Sequence, residues 1–126
     1  MIQETVDKLG PLHVMVANAG IAQVQACLDI SDEDVVKMFN VNFIGVWNCY
    51  THAARQMIKQ GPVKEGEASY KILGAASIVA FKPFPLLSHY SASKWAVRGF
   101  TQVFAMEMAK HQIRYVHCRS SCMHED

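Results

Sequence analysis

Tyr70 to Lys94 reads YKILGAASIVAFKPFPLLSHYSASK, and its change of character along the way decides the fold. Tyr70 to Ala76 is a short apolar run fit for a strand, although Gly74 and the alanines make it weak by propensity alone. Ser77 to Ser88 is an irregular loop stiffened by Pro83 and Pro85. From about His89 to Lys110 a helical pattern follows, presenting Ala92, Trp95, Ala96, Gly99, Phe100, Val103, Phe104 and Met108. The small residues Ala92, Ala96 and Gly99 suit the close approach of another helix. A buried-type strand leading through a loop into a long helix is half of a parallel crossover.

The same pattern repeats upstream. Ile2 to Leu9 reads as the last turns of a helix, stopped by Gly10-Pro11. Leu12 to Ala17 is an apolar run fit for a strand covered on both faces. Asn18-Ala19-Gly20 breaks it and opens a loop reaching about Ile30. Ser31 is a good N-cap, with Asp34 completing an imperfect capping box. One long helix is then expected to about Lys59, with β-branched Val41, Ile44 and Val46 weakening it so that packing must hold it. Gln60 to Ser69 is a polar connection. Downstream, Ile113 to Val116 is a third short strand, and Cys118 to Asp126 carries no recognisable element. The order is strand, helix, strand, helix, strand: a βαβαβ core with a parallel sheet and right-handed crossovers.

Composition narrows the function. Hydrophobic residues make up 51% of the 126 and charged residues 18%, which argues for a packed core. A formal charge of +1 with no Lys/Arg run gives no reason to expect nucleic acid or an anionic membrane as a partner. No apolar stretch approaches the roughly 20 residues that span a bilayer, and the first residues lack the order of a signal peptide. Reduced thiols in a cytoplasmic setting are therefore the default for the four cysteines. Cys118 and Cys122, with His117 and His124, are too compact and unsupported for a zinc site, so no metal is expected.

The chemistry gathers on a hydroxyl, a phenol and an ammonium. Tyr90 and Lys94 are four apart at a helix start and share one face. Lys94 can then stabilise the phenolate of Tyr90, whose free pKa is about 10. Ser77 arrives from the end of an apolar run, where it can hydrogen-bond a substrate oxygen beside the phenol. That combination suits acid–base work on a carbonyl or carbinol. By themselves these residues also read as a surface pair and a loop serine. Asn42, inside a mostly apolar helical face, needs hydrogen-bond partners and also reads as a structural asparagine bonding backbone. Asn18-Ala19-Gly20 alone reads as a turn. Trp95 and Phe100 read as core or helix–helix packing residues.

Four stretches together resemble one family. VMVANAG (Val14 to Gly20) is similar to an Asn-Asn-Ala-Gly signature, NVNFIG (Asn40 to Gly45) to Val-Asn-x-x-Gly, and KILGAASIVA (Lys71 to Ala80) to a strand ending in serine. YSASK (Tyr90 to Lys94) matches Tyr-x-x-x-Lys. In that order they resemble a short-chain dehydrogenase/reductase of the classical type, the match covering roughly Leu9 to Val116. The closest look, through DKLGPLHVMVANAGIAQV and HYSASKWAVRGFTQ, is to diacetyl/acetoin reductases, also called butanediol dehydrogenases.

The resemblance implies a partial Rossmann-type three-layer α/β fold, with residues 1–126 forming the central, catalytic portion of an NAD(P)-binding domain. It implies NAD or NADP as cofactor and a small carbonyl or alcohol as substrate. Catalytic roles fall on Asn42, Ser77, Tyr90 and Lys94, and cofactor binding on Asn18, Ala19, Gly20, Tyr90 and Lys94. Tyr90 would give a proton to the developing alkoxide, Lys94 would keep the phenolate accessible and hold the ribose hydroxyls, and Ser77 would orient the carbonyl. Asn42 would hold a proton-relaying water. His89 and Phe84 are candidates for the substrate opening. A homo-oligomer, built through the Asn42 and Tyr90 helices, is implied for a complete enzyme.

The sequence departs from that pattern at both ends. No glycine-rich dinucleotide loop occurs, and the end IRYVHCRSSCMHED resembles a read-through instead of an Asn-x-x-x-Pro-Gly turn. The expectation is that strands missing beside Leu12–Ala17 and Ile113–Val116 leave this polypeptide poorly stable and inactive alone. The alternatives are an inactive fragment or pseudoenzyme acting at most through subunit interaction, and an unrelated flavodoxin-like or regulatory α/β module.

Overall fold

A computed structural model describes residues 1–118 apart from 65 and 67, with backbone alone at 116–118. Helix α1 (Ile2–Leu9) ends at Gly10, whose φ of 89° suits glycine and whose N–H bonds Val6 O at 3.0 Å. Strand β1 (Val14–Ala17) follows, then a loop with one 3₁₀ turn at Cys27–Asp29. Helix α2 (Asp32–Phe39) starts on Ser31, whose Oγ accepts from Asp34 N at 3.1 Å and donates to Asp34 Oδ2 at 3.0 Å.

The long helix expected from Ser31 to Lys59 is continuous but not uniform. Asn40–Ile44 forms a π-helical turn between α2 and α3 (Gly45–Gln60). The wider turn admits one extra residue, as π-bulges do. It falls where β-branched Val41 and Ile44 weaken helix propensity and where Asn42 is drawn inward by bonds to Ile21.

Strand β2 (Lys71–Ala75), a 3₁₀ turn (Ile78–Ala80), helix α4 (Ser88–Met108), a second 3₁₀ turn (Ala109–His111) and β3 (Arg114–Cys118) complete the order. The three strands are parallel, with β2 in the middle. Val14 pairs with Lys71 and Lys71 with Arg114, so Ala17, Gly74 and His117 end in one row. This is the expected partial Rossmann-type α/β arrangement. The Cys/His motif of the tail has its side chains outside the described residues.

Alternate strand positions face the helices. Ala17 and Ile72 are buried and pack with Met15 and Tyr115 against Tyr50, Ala53, Met57, Val97 and Phe104. Full burial of side chains such as Met57 or Ile72 contributes about 1.5–3 kcal/mol each. On the other face, β1 is open rather than covered: Val14 is 47% and Val16 59% exposed.

Tyr50 explains a residue that propensity disfavours. A Cβ at position 74 would overlap the Tyr50 hydroxyl and stand 3.0 Å from Cζ, so the strand needs glycine there. That hydroxyl is 3.1 Å from Thr101 Oγ1, which also donates to Val97 O at 2.8 Å. Burial pushes the Tyr50 phenol above its ordinary 10.0, and the Thr101 bond only partly opposes it.

Two side-chain amides grip the backbone at either end of β1. Gln60, the last residue of α3, accepts from Leu12 N at 2.8 Å through Oε1 and donates to Leu12 O at 3.1 Å through Nε2. Asn42, in the π turn, does the same for Ile21, accepting from N at 2.8 Å and donating to O at 2.9 Å.

Candidate active site

The carboxyl-terminal ends of parallel strands are where such sheets bind ligands, and several of the residues expected from sequence lie beside those ends. Gly20 follows β1, Ser77 follows β2, and Tyr90 and Lys94 occupy the first turns of α4. Lys94 is 4% exposed and its ammonium donates to Ala75 O, the last carbonyl of β2, at 2.9 Å. Its Nζ lies 5.7 Å from the centroid of the half-buried Tyr90 ring. The two side chains thus lie on one side of α4, as an i, i+4 spacing places them. Burial lowers the Lys94 pKa from its ordinary 10.5, because removal from water penalises the charged form.

Gly20 closes on the same point from β1. A Cβ there would sit 3.2 Å from Asn42 Oδ1 and 3.4 Å from Lys94 Nζ. A side chain would therefore press on both groups, and glycine leaves that space free.

Asn42 is fully buried. Besides Ile21, its Nδ2 reaches Ser93 Oγ at 3.1 Å and Met38 Sδ at 3.1 Å. Ser93 in turn donates to Tyr90 O at 2.7 Å. A chain of contacts thus runs from the loop after β1 through Asn42 and Ser93 to the backbone of Tyr90. The amide is bonded to backbone, as the structural reading of this residue anticipates. Ser93 was not singled out from sequence; the available signal was a hydroxyl among small residues on the face that carries Tyr90 and Lys94.

Ser77 is 5% exposed and extended (φ −158°, ψ 164°), and caps the Ile78–Ala80 turn by accepting from Val79 N at 3.4 Å. Asn18 and Ala19 stand between β1 and Gly20, both exposed. His89 is buried, its Nε2 3.3 Å from Gln23 Oε1, while Nδ1 finds no partner. It ties α4 to the loop after β1, and Gln25 N, donating to Leu86 O at 2.9 Å, ties the same loop to the segment that leads into α4. Leu86 is held at φ 65°, a strained conformation for a side-chain-bearing residue. Phe84 is half-buried beneath the Lys82 ammonium, 5.6 Å from its ring centroid.

Trp95 departs from the packing role expected of it. It is 46% exposed, and its indole N–H donates to Val79 O at 2.8 Å. Phe100 does pack, stacking on Trp47 at 4.6 Å and edge-on to Phe43 at 5.9 Å. Among the described residues no group of three or more His, Cys, Asp or Glu side chains is placed to hold a metal ion. No described helix is long and apolar enough to cross a membrane.

Known proteins resemble this chain in both sequence and fold. The sequence profile of the short chain dehydrogenase family matches residues 1–124. L-2,3-butanediol dehydrogenase of Corynebacterium glutamicum is 42% identical over 108 residues, covering 86% of this chain and 40% of that protein. The crystal structure of acetoin dehydrogenase from Salmonella typhimurium superposes with a TM-score of 0.83 at 33% identity, over 94% of this chain and 44% of that one. The structure of ElxO with NADP bound gives a TM-score of 0.83 at 30% identity, over 94% and 45%. The chain thus spans less than half the length of the proteins it matches. With the family profile matched over residues 1–124, the chain belongs to the short-chain dehydrogenase family.

Proposed function

We propose that this chain carries the catalytic portion of an NAD(P)-dependent oxidoreductase that reduces a small ketone or diketone, of the diacetyl or acetoin type, to the alcohol. The observation that carries the reading is the buried Lys94 ammonium at the ends of β1 and β2, with the Tyr90 ring beside it. The butanediol and acetoin dehydrogenases among its relatives support the substrate class.

A reduced nicotinamide cofactor, NADH or NADPH, would supply the hydride. Gly20 fits such a ligand, since the space a side chain would fill beside Lys94 is left free. Asn18, Ala19 and Gly20 would line its path, and Tyr90 and Lys94 would hold its ribose. Tyr90 donates its phenolic proton to the alkoxide oxygen as that oxygen gains charge. Ser77, its Oγ accepting from Val79 N, keeps its own proton for the substrate oxygen. The Lys94 ammonium, fixed on Ala75 O, stabilises the phenolate that remains. Asn42 holds the loop that carries Gly20 against the helix that carries Tyr90. We place the protein in the cytoplasm and the complete enzyme in a homo-oligomer.

A second reading, an inactive chain that serves subunit contact, draws on apolar side chains turned outward on α3 and α4 and in the π turn. Ile44 is 42%, Trp47 45% and Val103 55% exposed. Assay of a complete enzyme carrying this portion, with NADH and NADPH against diacetyl, acetoin and sugar alcohols, separates the two, since the chain alone is expected to be inactive. Turnover of diacetyl or acetoin by that enzyme, falling at least about a hundredfold in Tyr90→Phe, is the expected result. No turnover there, with the chain forming a stable complex with itself, establishes the second reading instead.

A further inference from the structure

Tyr90 and Lys94 share a helix, but Ser77 lies beyond an irregular loop, and something must hold its hydroxyl in register with them. The 3₁₀ turn that Ser77 caps uses its own first two carbonyls. Ala80 N donates to Ser77 O at 3.0 Å, and Phe81 N and Lys82 N donate to Ile78 O at 2.9 and 3.0 Å. The last carbonyls of a turn have no partner within it, and here those belong to Val79 and Ala80. Both residues are buried, at 3% and 0% exposure, so water cannot readily serve them.

Side chains of α4 fill the gap. Trp95 Nε1 donates to Val79 O at 2.8 Å, and Arg98 donates to Ala80 O at 3.2 Å. Residues three apart project from the same helical face, so two consecutive carbonyls meet two donors. Arg98 continues the four-residue stripe that begins with Tyr90 and Lys94. Its guanidinium is itself fixed, lying 4.2 Å from the centroid of the Phe81 ring and 5.2 Å from that of Trp95. A planar cation stacked between aromatic faces loses little further freedom when it donates, whereas a lysine ammonium cannot stack in that way.

We propose that Trp95 and Arg98 are positioning residues that bolt the Ser77 turn to α4, so that one helix fixes the mutual placement of Ser77, Tyr90 and Lys94. The inference deepens the oxidoreductase reading and rests on it for its kinetic consequence. Its structural part stands on the hydrogen bonds alone. Neither residue touches the reacting atoms; each acts through the backbone that presents Ser77.

The test uses the full chain and its Trp95→Phe and Arg98→Lys variants, with Trp47→Phe as a control for loss of an exposed indole. Hydrogen exchange of the amides of Val79 to Lys82 should accelerate at least about tenfold in both variants, as local opening requires. The interiors of β2 and α4 and the control should stay unchanged. In a complete enzyme carrying the same substitutions, turnover of the carbonyl substrate should fall about ten- to a hundredfold, the scale of a small misplacement of a reacting group, with the KM for the nicotinamide cofactor unmoved. Exchange in the turn that does not change overturns the bolt. So does a fall in turnover that tracks a lowered melting temperature and a raised cofactor KM, since that reports general unfolding. Accelerated exchange, with no turnover even in that complete enzyme, supports the bolt while refuting the oxidoreductase reading, so the two failures are told apart.

Discussion

From Ser88 to Lys94, helix α4 buries polar groups: His89 is 4%, Ser91 8%, Ser93 0% and Lys94 4% exposed. From Val97 onward it buries Val97, Thr101 and Phe104, and turns Val103 and Met106 outward, at 55% and 79% exposure. The second half rests on aromatic contact, Phe100 and Phe104 lying 5.4 and 5.6 Å from the Tyr50 ring centroid. The first half rests on specific bonds and leaves His89 Nδ1 and Ser91 Oγ buried with no partner, each a cost of about 1–3 kcal/mol. One helix thus divides its labour. Its far half anchors it to the sheet, and that anchorage lets the near half hold groups that water would otherwise claim.

Substitutions can break this division or sharpen it. The largest stability loss should come on the anchoring side, from Gly74→Ala, whose methyl meets the Tyr50 ring. We expect a loss of about 3 kcal/mol, at the upper end for overpacking, read as a lower midpoint in urea. Much of it should return in Gly74→Ala combined with Tyr50→Phe, because the hydroxyl is the closest point of conflict. If Tyr50→Phe gives no recovery, the anchor is not that contact.

On the polar side, Ser93→Ala removes the acceptor of one Asn42 N–H. It should cost about 1 kcal/mol, with slowed turnover and little change in the melt's cooperativity. A loss equal to that of Gly74→Ala would erase the distinction between the two halves.

The pH dependence of stability offers a finer test. Lys94 holds its proton less tightly when folded than its ordinary 10.5. Between its folded value and 10.5 the unfolded chain therefore binds more protons, and stability rises with pH. Below the folded value the charged form is buried and its penalty is felt in full. Burial raises Tyr50 and Tyr115 above 10.0, so above about pH 10 the unfolded chain releases protons first and stability falls. Urea midpoints measured from pH 7 upward should climb toward about pH 10 and then drop, and Lys94→Met should flatten the climb alone. A climb that survives Lys94→Met assigns it to another group. The smallest effect belongs to Met106→Gln, expected within about 0.5 kcal/mol of the parent.

Much of this architecture is legible in the chain. Gly10-Pro11 and the apolar runs place α1 and the three strands within one or two residues, because punctuation and periodicity are local properties. Tyr90 and Lys94 are legible because helical geometry makes a four-residue spacing into a shared face. The π turn is not, since Asn42 leaves the α-helical pattern through bonds to Ile21, twenty-one residues away. Ser93, Trp95 and Arg98 escape for a related reason: their partners include backbone carbonyls, which every residue has and no sequence pattern marks. Gly74 looks like a weakness of β2 until Tyr50 is set against it.

The paired amides at Leu12 and Ile21 have a mechanical consequence. Asn42 and Gln60 are separated along one helical run by about 27 Å, at 1.5 Å per residue. The chain from Leu12 to Ile21, which contains β1, reaches at most about 30 Å at roughly 3.3 Å per residue. The helix therefore works as a caliper whose two jaws close on an edge strand from opposite ends. A slip of β1 by one residue would open both jaws at once, so a strand that pairs only with β2 among the described residues is denied the sliding freedom that single pairing ordinarily leaves.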